Sequence, residues 1–177
     1  MLLPRGLDQL DVPAPLALWQ GAAPWVATPG YNGTPAIRFP GSAGGYVDVP
    51  AAFAGGDLTL VAWGRLDAVQ WAYASFARLL EAPGLSISRH TTPGALYYSC
   101  AGRQGVILAG ATADWFSVGI CVRGAALSVA FNGAVVASHT LTAPPMAFSA
   151  VRLGAAANGG SRWNGYISDV GLWGGAL

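Results

Sequence analysis

The sequence predicts an all-β domain, a sandwich or barrel. Three observations predict it: 25 glycines and 12 prolines punctuate the chain, the apolar runs between them are short, and they recur at turn-bounded spacing. At 177 residues the chain is one domain with room for a real core.

Read between its breakers, the chain offers strands at Ala36–Phe39, Gly45–Val49, Leu58–Leu66, Leu85–Arg89, Leu96–Cys100, Gly105–Ala109, Trp115–Val122, Ala126–Phe131, Ala134–Thr140, Ala150–Leu153 and Trp163–Trp173. Many short strands at turn-bounded spacing make a sandwich or barrel. The strongest local signal is Asn132-Gly133, because both residues accept the positive φ of a type I′ turn. A hairpin is predicted there, with Leu127, Val129 and Phe131 before the turn and Val135 and Ala137 after it lining a buried face. In Leu58–Arg65 both faces are apolar: Leu58, Leu60 and Ala62 point one way, Val61 and Trp63 the other. That pattern suits a central strand covered on each side.

Two segments read differently. Gln70–Ala82 fits a helix by the spacing of Trp71, Ser75 and Leu79, and a strand by the alternation within Ser75–Leu80. Residues 1–30 carry Pro4, Pro13, Pro15, Pro24 and Pro29, which leave room for a strand near Leu16–Trp19 and otherwise predict an extended arm lying on the domain.

Hydrophobic residues make up 53% and charged residues 10%, where an ordinary soluble domain has roughly 25% charged. So thin a polar coat favours docking of part of the surface, as a homo-oligomer or against a larger partner. The basic residues are nine arginines placed singly, with a net charge of +1, so nucleic acid is not an expected partner. The start of the chain is broken by Pro4 and Arg5 and carries Asp8 and Asp11, unlike a signal peptide. No apolar run approaches the roughly eighteen residues of a spanning helix, so membrane insertion is not expected either. Cys100 and Cys121 have neither metal spacing nor a disulfide framework and are expected as free thiols.

The order of the runs resembles the concanavalin A-like lectin and glucanase superfamily, in its laminin G-like and pentraxin-like branches. Ala36-Ile-Arg-Phe-Pro-Gly, Gly45-Tyr-Val-Asp-Val-Pro and Gly56-Asp-Leu-Thr-Leu-Val-Ala-Trp resemble the opening strands. Trp115-Phe-Ser-Val-Gly-Ile-Cys-Val resembles the tryptophan-led strand, and Leu127-Ser-Val-Ala-Phe-Asn-Gly-Ala-Val-Val the strand, turn and return. Val151-Arg-Leu-Gly and Trp163-Asn-Gly-Tyr-Ile-Ser-Asp-Val-Gly-Leu-Trp resemble the close. The resemblance spans Ala36 to Leu177 and implies a two-sheet antiparallel jelly-roll sandwich, with the closing strand beside an N-terminal one.

The fold hosts several functions, so function must come from sites. Glucanases of the superfamily need paired carboxylates close together. This chain has one glutamate, Glu81, and seven aspartates, no two of which stand two apart on one strand, so no hydrolase is expected and no catalytic residue is assigned. His90 reads as a surface residue and His139 as strand-borne, with no nucleophile beside either. Ser168-Asp169 stands where relatives often have two consecutive acids, so no metal or other cofactor is expected, and Asp169 reads as a structural acceptor. Trp63, Trp115 and Trp173 are expected in the core. Trp71, Tyr73 and Tyr98 are the candidates for an exposed ligand-binding face.

Two functional readings follow. In the first, the chain is a non-enzymatic structural or adhesion protein of a bacteriophage-like virion, a capsid decoration or a tail or fibre component, assembled in the host cytoplasm with capsid or tail proteins as partners. In the second, it is a carbohydrate-binding module that recognises cell-surface glycans. The virion context is implied by where stand-alone members of this superfamily occur, not by any residue.

Overall fold

A computed structural model describes residues 28–30, 33, 35–41, 45–68, 70, 76–110 and 114–174. The described residues form thirteen strands: β1 Thr28–Pro29, β2 Pro35–Pro40, β3 Val47–Phe53, β4 Leu58–Leu66, β5 Ala77–Ala82, β6 Leu85–Arg89, β7 Ala95–Cys100, β8 Arg103–Ala109, β9 Phe116–Arg123, β10 Ala126–Phe131, β11 Ala134–Thr140, β12 Phe148–Leu153 and β13 Asn164–Gly174. They form a seven-stranded sheet ordered β1-β2-β13-β4-β9-β10-β11 and a six-stranded sheet ordered β3-β12-β5-β6-β7-β8. Every strand pair is antiparallel, and the two sheets make the jelly-roll sandwich. The closing strand β13 lies between β2 and β4, as the resemblance implies.

The core forms where the alternating apolar residues of both sheets meet. Leu58, Leu60, Ala62 and Leu66 of β4 and Phe116, Val118, Ile120 and Val122 of β9 face Leu80, Ile87, Leu96 and Cys100 across the sandwich, all buried. β4 occupies the middle of its sheet, in keeping with its two apolar faces. Gly64 leaves a notch that the Leu79 side chain fills, since a Cβ there would lie 2.6 Å from Leu79 Cδ1.

The hairpin turns at Asn132 (φ 48°) and Gly133 (φ 82°), the positive pair of a type I′ turn. Ser117 holds the turn: its amide donates to Asn132 Oδ1 at 2.8 Å, and its carbonyl accepts from the Asn132 amide at 2.9 Å. Leu127 and Val129 are buried as expected, but Val135 is 65% exposed. The reason is a bulge: Val129 pairs with Ala137 and Ala130 with Val135, so Val136 is an extra residue and Val135 shifts to the outer face.

The ambiguous Gln70–Ala82 stretch resolves as strand from Ala77 onward, with Ala68 and Gln70 helical. Pairing on both sides, with β12 and β6, overrides local spacing. Most of the expected N-terminal arm, including Leu16–Trp19, lies outside the described residues. Its last residues form β1, a two-residue strand on β2 that the prolines did not suggest.

The tryptophans depart from expectation. Trp63, Trp115 and Trp173 are half-buried, on or beside the outer face of the seven-stranded sheet, while the ring enclosed in the core is Trp163. Trp63 occupies the strand phase opposite Leu60 and Ala62, so its ring points away from the second sheet. Trp115 precedes β9 and stands beside Tyr166, with the Arg65 guanidinium over both rings.

Candidate functional site

The outer face of the six-stranded sheet carries an unbroken row of polar residues. Cross-strand pairing places Asp48 (β3), Arg152 (β12), Glu81 (β5), Ser86 (β6), Ser99 (β7) and Gln104 (β8) side by side across all six strands. The row is electrostatically closed at one end. Arg152 binds both carboxylate oxygens of Asp48 at 2.7 Å, and this hydrogen bonding holds its pKa above the ordinary guanidinium value. Arg78 pairs with Glu81 at 3.0 Å and donates from Nη1 to Ser86 Oγ at 3.0 Å.

A second row, Arg78-Ser88-Tyr97-Val106, runs beside the first. Between and above the two rows lies a cleft of about 440 Å3, lined by polar groups of the first row and by an aromatic wall. His90 stacks on Tyr97 with ring centroids 4.5 Å apart, and Phe76 meets His90 edge-on at 5.3 Å. The Arg78 guanidinium lies 5.6 Å above the Phe76 ring.

The β6–β7 turn sets the His90 ring. Its backbone closes through His90 N–H to the Ala95 carbonyl at 2.8 Å, and the Thr92 amide donates to His90 Nδ1 at 3.1 Å. Since an amide can only donate, Nδ1 is the acceptor, and the neutral ring carries its proton on Nε2. Beneath the turn the wholly buried Arg89 donates from Nη1 to the His90 carbonyl at 2.6 Å, and burial lowers its pKa. The cleft therefore has a rigid stacking surface, ring and guanidinium donors, hydroxyl groups and one paired carboxylate.

Of the three residues expected on a binding face, Trp71 and Tyr73 lie outside the described residues, and Tyr98 is corrected. Tyr98 is 0% exposed. It belongs to the inward phase of β7, opposite Gly105, whose missing side chain makes room for the ring: a Cβ there would lie 3.0 Å from Tyr98 Cε1. Burial holds its phenol above its usual pKa, with Tyr97 and Cys100 adding to the effect. Its neighbour Tyr97 takes the outer position. Sequence reading missed Phe76, Tyr97 and the place of His90 in the cleft wall; the strand phase of Leu96 and Cys100 as core residues was the signal that assigns Tyr97 outward.

The carboxylates have structural partners. Besides Asp48 and Glu81, Asp67 pairs with Arg38 at 2.6 Å, and Asp57 accepts from the Gly124 amide at 2.7 Å. Asp169 accepts from Ser168 Oγ at 2.8 Å, at the bulge between Ile167 and Val170. Cys100 faces the core from β7, and Cys121 sits half-buried on the other sheet's outer phase, so both are free thiols.

The family model described as the concanavalin A-like lectin/glucanases superfamily, of laminin G type, matches residues 40–177. Among solved structures, the botulinum neurotoxin serotype D binding domain superposes with a TM-score of 0.70 at 12% identity, over 90% of this chain and 43% of that one. The botulinum neurotoxin type G receptor binding domain gives 0.61 at 11%, over 81% and 40%. Domains LG4-5 of the mouse laminin alpha1 chain give 0.61 at 17%, over 93% and 48%. This chain spans less than half the length of these structures, and the likeness is one of fold. Comparison with curated proteins finds no match in sequence.

Proposed function

The chain belongs to the concanavalin A-like lectin/glucanases superfamily, and from that premise we propose that it is a non-enzymatic carbohydrate-binding module whose site is the cleft on the outer face of the six-stranded sheet. The observation that carries this reading is the His90–Tyr97 stack, with Phe76 at its edge, standing beside a row of hydroxyl, amide and ion-paired groups. A saccharide ring needs both features: an aromatic face for its C–H surface, and fixed donors and acceptors for its hydroxyls. The described acids with ion-pair partners are committed to arginines, which fits binding better than hydrolysis. Two structural neighbours are themselves binding domains, the type G receptor binding domain and the serotype D binding domain of botulinum neurotoxin, which supports a recognition role in the same direction.

A glycan array followed by calorimetry on the best hit tests the site. Wild type binds, and Tyr97→Ala weakens binding at least about tenfold, roughly 1.4 kcal/mol, while melting within a few degrees of wild type. Binding to no glycan, or binding indifferent to Tyr97→Ala and His90→Ala, overturns the reading.

The module's placement on a bacteriophage-like virion, against capsid or tail proteins, is the second part of the proposal. Its support is the composition, 10% charged, which favours burying outer surface against neighbours. Mass spectrometry of purified particles tests it: the chain at stoichiometric abundance supports the placement, and its absence refutes it.

A further inference from the structure

Arg89 is the only charged side chain among the described residues that is wholly buried, 0% exposed. It shares the inward phase of β6 with Leu85 and Ile87, while Ser86 and Ser88 take the outer one. Its Nη1 donates to the His90 carbonyl at 2.6 Å, but Nε and Nη2 are buried with no acceptor among the described residues. The described ion pairs engage Arg38, Arg78 and Arg152 instead. A guanidinium taken out of water without a counter-charge is strongly destabilising, so its presence calls for a reason.

The β6–β7 turn supplies one, because it leaves a backbone acceptor over. His90 donates its amide to the Ala95 carbonyl at 2.8 Å, but the Ala95 amide turns to the Thr92 carbonyl at 3.2 Å instead of completing the pair. The His90 carbonyl therefore has no ladder partner, and the guanidinium beneath it is the donor. On the solvent side Thr91, Thr92 and Pro93 are exposed, and the Thr92 amide and Oγ1 both meet His90 Nδ1 at 3.1 Å. His90 is thus fixed from two ends, by Arg89 on its carbonyl and by Thr92 on its ring, and that ring is the one stacked on Tyr97.

We infer that Arg89 is a positioning residue of the cleft: from inside the sandwich it holds the His90 backbone, and through it the His90–Tyr97 stacking surface, where an apolar side chain would make the more stable core. That role rests on the cleft's being the saccharide site. The neighbours of Arg89 across the strands, Ala77 and Leu96, are apolar and wholly buried, as is Ile87 on its own strand. An apolar side chain of similar length would join them and remove the desolvation penalty. What it cannot supply is the donor to the His90 carbonyl. Binding sites are where a fold retains such a loss of stability.

Arg89→Met in the full chain tests it, since methionine fills the same space without a donor. The variant is expected to melt no more than about 5 °C below the wild type, and above it if the desolvation penalty dominates. In the same variant the Thr92 amide should exchange at least about fivefold faster, and the nuclear Overhauser contacts between the His90 and Tyr97 rings should weaken. Affinity for the best glycan should fall at least about fivefold. A variant that fails to fold, or melts lower than that, overturns the assignment, because Arg89 would then hold the core rather than the cleft. So do unchanged exchange and ring contacts, and so does wild-type glycan affinity in a chain whose turn has loosened. A wild type that binds no glycan refutes the saccharide reading instead, and the exchange and ring contacts still decide whether Arg89 holds His90.

Discussion

The outer faces of the two sheets are built on the same pleat, and one row of each carries opposite chemistry. On the six-stranded sheet one row reads Asp48-Arg152-Glu81-Ser86-Ser99-Gln104. On the seven-stranded sheet the corresponding kind of row reads Gly171-Val61-Gly119-Ala130-Val135, without a polar side chain. At its Gly171 end the latter leaves space that the Trp173 ring fills, 2.3 Å from where a Gly171 Cβ would stand. A polar row with an aromatic wall offers directional partners to a ligand; a row of small apolar residues offers only area. The contrast lies between these two rows, and the proposed site rests on the polar one.

The largest expected effect tests the division between what lies inside the sandwich and what lies on the seven-stranded face. Trp163→Ala should cost about 3–5 kcal/mol by chemical denaturation, because the ring is wholly enclosed between the sheets. Trp63→Ala and Trp115→Ala should cost roughly half of that, since both rings keep part of their surface in water. Equal costs at all three positions would erase the distinction between core and face.

Next comes a matched pair of small changes on the two faces. Gly171→Ala must push the Trp173 ring off its bed and should cost about 1 kcal/mol. Ser99→Ala, in the polar row, should stay within about 0.5 kcal/mol of wild type in stability and act on glycan affinity instead. A Ser99→Ala chain that is destabilised more than Gly171→Ala would reverse the contrast between the two rows.

The smallest effect separates the two thiols. Burial lifts the Cys100 thiol from an ordinary 9.0 to about 11, whereas Cys121 lies on the outer phase of its sheet. A thiol reagent should therefore modify Cys121 first and Cys100 only on unfolding. The unfolded chain loses the Cys100 proton near pH 9 while the folded chain keeps it until about pH 11. The thiol's stabilising contribution is thus complete below pH 9 and declines across that window, and Cys100→Ala should flatten the slope there. Cys100 labelling in the folded chain would place it on the wrong side of β7.

The strands themselves were legible because their causes are local. Leu58–Leu66, Leu85–Arg89, Ala126–Phe131 and Ala134–Thr140 begin and end at the breakers that bound them in sequence, and Asn132-Gly133 turns as its φ preferences require. Alternation also separated the two sides of β4. What alternation leaves open is which side faces the partner sheet, and a single inserted residue reverses it. Tyr97 and Tyr98 are adjacent and chemically alike, yet one stacks on His90 in the cleft and the other is enclosed over Gly105. The bulge at Val136 likewise moved Val135 from the expected core face to solvent.

By itself, then, the sequence determined the fold class, most strand limits, the hairpin and the scarcity of charge, because propensity, turn geometry and composition act over a few residues. Tertiary structure alone decided the polar row and the aromatic wall. Each depends on register between strands distant in sequence, such as Glu81 beside Arg152, and pairing fixes that register only when both sheets close over one core.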